Sequence, residues 1–68
     1  MENNFGNKLK ELRIEKCIGQ IELAKILGVS KGMISLWENG KNEPKLSNLI
    51  AISNFFGVSL DYLAGKED

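Results

Sequence analysis

The sequence predicts an all-α fold, a single compact bundle of five short helices. Three observations carry that expectation. Apolar residues recur at three- and four-residue intervals along most of the 68 residues. Gly19, Gly28, Gly40, Gly57 and the one proline stand between these runs as stops. Every connection is short, as suits helices that pack antiparallel or crossed.

Phe5, Leu9 and Leu12 lie at helical spacing among Lys8, Lys10, Glu11, Arg13, Glu15 and Lys16, which predicts an amphipathic helix over about 4–16, broken by Gly19. A second, over 20–27, places Leu23, Ala24 and Leu27 on one face, with Gly28 as a left-handed cap. Ser30 precedes the third, over 31–39, and its hydroxyl suits the free amides of the first turn. Asn39-Gly40 ends that helix, and Pro44 keeps 40–45 in a loop. A fourth helix is expected over 46–56, stopped by Gly57, and a fifth over 60–64, capped by Ser59 and carrying Leu60, Tyr62 and Leu63. Leu49, Ile52, Phe55, Phe56, Val58, Leu60 and Leu63 are expected mainly in the core, while Lys66, Glu67 and Asp68 should fray.

A core this small stabilises its fold by only a few kcal/mol and leaves room for one domain, 1–68. One cysteine and no histidine exclude an internal disulfide and a Cys/His zinc site. Cys17 is expected to be a small packing residue without chemistry. No apolar run approaches the roughly 18 residues of a membrane span, and the N-terminus does not read as a secretory leader, so a cytoplasmic protein is expected. Histidine, a nucleophile with a partner base and a glycine-rich phosphate loop are all missing, which argues against an enzyme; no cofactor and no small-molecule substrate are expected.

Net charge is zero, but it is unevenly spread. Residues 8–45 hold eight Lys/Arg against five Glu, a local charge of +3; the first seven residues carry −1 and residues 46–68 carry −2. Zero net charge argues weakly against a polyanionic partner, but a basic body with an acidic tail is compatible with one.

Residues 20–39 form two helices joined by a turn of about three residues, a helix-turn-helix pattern. Ala24 allows a close crossing, Gly28 the turn, and Val29 plugs the corner, while Ile34 and Trp37 lock the second helix onto the core. At about 100° per residue, Ser30, Trp37 and Glu38 point inward with Ile34, and Gly32, Leu36 and Asn39 point outward, flanked by Met33 and Ser35. An outward helix with Lys31 at its start is what a major groove about 12 Å wide can admit.

The stretches LKELRIEK, GQIELAKILGVSKGMISLWENGKNEPKL and LIAISNFFGVSLDYLAG together resemble the Cro/repressor-type (XRE-like) helix-turn-helix regulators, a family that includes lambdoid phage repressors. The resemblance runs from Leu9 to Gly65. It implies a five-helix, lambda-repressor-like DNA-binding domain and a transcriptional repressor or regulator that binds a near-palindromic double-stranded operator as a homodimer, with repression and activation both left open. Matched position by position, it implies phosphate contacts by Gln20, Asn39, Lys41 and Asn42, with backbone amides assisting at both segments. It assigns base reading to Lys31, Gly32, Met33, Ser35 and Leu36. It also implies a buried ion pair, Arg13 with Glu38, and a dimer contact through the C-terminal helices near Phe56 or Tyr62.

Two positions depart from the family's pattern. Gly32 has no side chain and Leu36 can touch only thymine methyl groups, so direct hydrogen-bond readout is thin. Gly19 stands where a capping Ser or Thr is usual. These departures keep a second reading open, a protein-interaction module using Gly32, Met33, Leu36 and an exposed Ile21 as an apolar face.

Overall fold

A computed structural model describes residues 5–65, and among them five α-helices and no strand. They are α1 (Phe5–Glu15), α2 (Gln20–Leu27), α3 (Lys31–Glu38), α4 (Leu46–Phe56) and α5 (Leu60–Leu63). The expected start of the first helix at Asn4 and the expected fraying of Lys66, Glu67 and Asp68 lie outside the described residues. Asn39 and Ala64, expected inside their helices, are the C-caps of α3 and α5.

Helix α1 is not ended by Gly19. Cys17 adopts a left-handed conformation, φ 58°, and the Ile18 N–H reaches back to the Arg13 carbonyl at 3.2 Å while the Cys17 N–H reaches Ile14 at 2.9 Å. This is a Schellman closure with cysteine in the place glycine usually takes. Cys17 is therefore exposed, not a packing residue, because a left-handed C′ position turns its side chain out of the helix and away from the core. Gly19 instead has extended backbone, φ −86°, and is the N-cap of α2, where it offers no side-chain acceptor.

Gly28 closes α2 in the same left-handed manner, φ 73°, with the Val29 N–H bonded to the Ala24 carbonyl at 3.0 Å. Three residues later the chain is helical again, since Ser30 Oγ accepts from the Met33 N–H at 3.1 Å. Serving as that cap, Ser30 is exposed and does not point inward; it precedes the first helical turn, so the helical angle does not apply to it.

Helix α3 is the centre of the fold, packed on both α1 and α2, while α4 packs on α5 and α2. Leu9, Leu12, Leu23, Ala24, Ile34, Trp37, Ile52 and Leu63 are buried together with Phe5, whose ring meets the Trp37 ring edge-on at 6.4 Å. A Cβ built on Gly6 would lie 2.5 Å from the Trp37 carbonyl oxygen and 2.7 Å from that of Glu38, so only glycine lets α1 approach the end of α3 this closely. Leu49, Phe55, Phe56 and Val58 pack partly buried against the core, but Leu60 is exposed. The one-turn α5 has a single inward face, and Leu63 occupies it.

Candidate nucleic-acid interface

The two sides of α3 separate as its helical geometry requires. Ile34 and Trp37 are buried and the Glu38 side chain is only 4% exposed, whereas Lys31 and Gly32 are exposed and Leu36 is 40% exposed. Met33 and Ser35 are half-buried at the edges of that outer side, and Asn39 is exposed beyond its end. Of the five positions expected to read bases, Lys31, Gly32 and Leu36 thus face solvent on one side, with Ser35 and the partly core-packed Met33 at its rim.

The segment after α3 folds back on this surface. Asn39 Nδ2 donates to Ser35 Oγ at 3.3 Å, and Asn42 Nδ2 donates to the Met33 thioether at 3.5 Å. Here one expectation needs correction. The Asn39, Gly40 and Lys41 N–H groups are bonded to the Ser35, Trp37 and Leu36 carbonyls, and the Glu43 N–H to Asn42 Oδ1. These amides already have acceptors, because the helix closes through them, so what this segment offers an anion is chiefly the exposed side chains of Asn39, Lys41 and Asn42.

On the other side of the turn, Arg13 and Glu38 make the expected ion pair in a forked geometry. Arg13 Nε donates to Glu38 Oε2 at 2.7 Å and Nη2 to Oε1 at 3.1 Å. Arg13 Nη1 also donates to the Ile18 carbonyl at 3.1 Å, tying the pair to the chain entering α2. The hydrogen bond to Glu38 raises the Arg13 pKa above its ordinary value; burial opposes the rise, and the charge of Glu38 adds to it.

Sequence reasoning missed the third member of this group. Gln20, half-buried at the start of α2, donates from Nε2 to Glu38 Oε1 at 3.0 Å. No local pattern could reveal a bond between residues 18 positions apart; the only signal was that the family resemblance already gave each of the two a role.

Not all the basic residues face outward freely. Lys8 Nζ lies 4.9 Å from the centre of the Tyr62 ring and Lys16 Nζ 5.4 Å from that of Phe55, so both cover the aromatic side chains of α4 and α5. Lys31 and Lys41, beside α3's outer side, are exposed. Among the described residues no cluster of His, Cys, Asp or Glu could hold a metal ion, and no helix is long and apolar enough to cross a membrane.

Two short helices crossed through a glycine turn, the second with one side in the core and the other in solvent, define a helix-turn-helix module. The chain belongs to the helix-turn-helix family, whose model matches residues 9–63, as the resemblance implied. It is 44% identical over 64 residues to the transcriptional activator BcrR of Enterococcus faecalis, covering 94% of this chain and 31% of that protein. An uncharacterized helix-turn-helix regulator of Methanocaldococcus jannaschii is 42% identical over 62 residues, 91% of this chain and 94% of its own length. Among solved structures, the c2 repressor of phage P22 in complex with a synthetic operator superimposes with a TM-score of 0.87 at 36% identity, over 93% of this chain and 96% of that one. The chain spans only 31–58% of the length of five curated relatives it matches.

Proposed function

We propose that this chain binds double-stranded DNA in a sequence-specific manner as a transcriptional repressor, with α3 in the major groove. The observation that carries the reading is the outer side of α3, where Lys31, Gly32 and Leu36 face solvent between half-buried Met33 and Ser35, on a fold superimposable on a repressor in complex with a synthetic operator. Lys31, Gly32, Met33, Ser35 and Leu36 meet base edges. Gln20, Asn39, Lys41 and Asn42 meet phosphates on either side. Phosphate contacts orient the module and base contacts select the sequence. With Leu36 and Met33 prominent, part of that selection falls on thymine methyl groups.

The operator-bound form is a homodimer in the cytoplasm. The described body is 27 Å in its longest extent, less than the roughly 34 Å between successive major-groove faces, so reading two half-sites calls for two copies. Phe56 and Tyr62 are half-buried, and it is Leu46, Ile50 and Leu60 that the C-terminal helices expose, which makes these three the apolar contact offered to the second copy. A repressor role needs nothing beyond occupying the operator.

The test is fluorescence anisotropy with the DNA upstream of the protein's own coding sequence and with a scrambled duplex, each at about 50 and 200 mM salt. Tight, salt-steep binding to the upstream DNA alone is expected. A second reading, a protein-docking module, has the 60% exposure of Ile21 and the apolar Leu36 in its favour; absence of DNA binding at both salts would replace the first reading with it.

A further inference from the structure

The strongest unassigned feature is the three-residue group Arg13–Glu38–Gln20, which joins α1, α3 and α2. A carboxylate only accepts hydrogen bonds, so the Gln20 amide must turn its nitrogen, not its oxygen, toward Glu38 Oε1. The same oxygen accepts from Arg13 Nη2, and Oε2 accepts from Arg13 Nε, so the carboxylate is held from two sides and its charge is matched by the guanidinium. With the Glu38 side chain 4% exposed, the anchor is rigid and largely shielded from competing water.

A primary amide nitrogen carries two protons. One goes to Glu38; the other lies across the nitrogen, on a residue that keeps part of its surface in solvent at the first position of α2. Gly19 contributes no side chain that could take that proton. An amide free to flip would present its carbonyl oxygen to a passing phosphate as readily as its N–H, and the oxygen repels it.

We propose that Glu38 is a positioning residue for DNA binding: it orients the Gln20 amide so that the remaining N–H donates to the phosphate backbone. The inference rests on the DNA-binding reading above. It gives Glu38 a second task beside its pairing with Arg13, and it ties the orientation of the phosphate contact on α2 to the helix that carries the base-reading residues.

Two measurements test it. In the DNA-free protein, the two Gln20 side-chain amide protons are expected to differ strongly in NMR chemical shift, one moved downfield by Glu38, and the difference should shrink in the Arg13→Met, Glu38→Met double substitution, which removes the acceptor without stranding a buried charge and is checked for folding by circular dichroism. A pair with ordinary shifts, unchanged by that substitution, overturns the proposal without any reference to DNA. In the second, binding to a random duplex of about 20 base pairs is measured at about 50 mM salt, where phosphate contacts dominate. Gln20→Ala is expected to weaken binding about five- to ten-fold. In the Arg13→Met, Glu38→Met background, the same change should weaken it less than two-fold. Equal losses in both backgrounds overturn the positioning role, as does no loss in the wild type. A wild-type protein that binds neither this duplex nor its upstream DNA overturns the DNA-binding reading itself, and this inference with it.

Discussion

Asn42 reaches back over the end of α3 and donates its Nδ2 proton to the sulfur of Met33, 3.5 Å away, while its own Oδ1 accepts from the Glu43 N–H. A thioether is a weak acceptor, so the bond adds little stability. Its effect is conformational: Met33 is unbranched and flexible, and one end of its side chain is held at the edge of the reading surface.

Asn42 therefore has two separable roles in the proposed complex. If it only touched phosphate, Asn42→Ala would weaken operator and scrambled duplex equally. Because it also holds Met33, the ratio of the two affinities is expected to fall by about two- to five-fold, with stability changed by less than about 0.5 kcal/mol. Paired anisotropy titrations on the two duplexes give that ratio directly.

Loss of the Glu38 carboxylate should act through folding. Glu38→Ala leaves the Arg13 guanidinium in a largely buried site with one acceptor, the Ile18 carbonyl, and is expected to cost about 3 to 5 kcal/mol, a large share of what so small a domain has. A melting temperature equal to that of the wild type would refute it. The pH dependence follows from Arg13: its folded pKa is raised, so its contribution is complete below the ordinary arginine range and is lost only as strong alkali titrates it. Thermal scans between about pH 6 and 9 should show no loss attributable to this group.

Two glycines in helices should respond oppositely to alanine. At Gly6 the new methyl group would press on the Trp37 and Glu38 backbone carbonyls, which cannot move independently of α3, so Gly6→Ala is expected to destabilise by about 1 to 3 kcal/mol. At Gly32 the nearest atom to a new Cβ is Ser30 Oγ at 3.8 Å, and Gly32→Ala should stabilise by up to about 1 kcal/mol through helix propensity alone. Urea denaturation of the two variants checks both signs.

Cys17 holds a left-handed conformation that costs an L-residue about 1 to 2 kcal/mol. Cys17→Gly relieves it at a site with an exposed side chain, and a rise in melting temperature of several degrees is expected by calorimetry. An unchanged or lowered value would show that the Schellman closure there does not carry that strain.

The family motif, the five helices and the outward side of α3 were legible in the sequence. Each depends on spacing within one or two helical turns: Leu23 with Ala24 and Leu27, the Gly28 stop, the Ser30 and Ser59 caps, and Ile34 with Trp37 one turn apart. The Arg13–Glu38 pair was legible only through the resemblance. Tertiary structure alone decided that Gly6 abuts Trp37, that Lys8 and Lys16 cover aromatic rings, that Leu60 stays in solvent while Leu63 does not, and that Gln20 answers to Glu38. The division has a physical cause. Backbone periodicity and capping are set by covalent neighbours a few residues apart, whereas the direction of a long polar side chain is set by whichever acceptor another helix brings within about 3 Å of it.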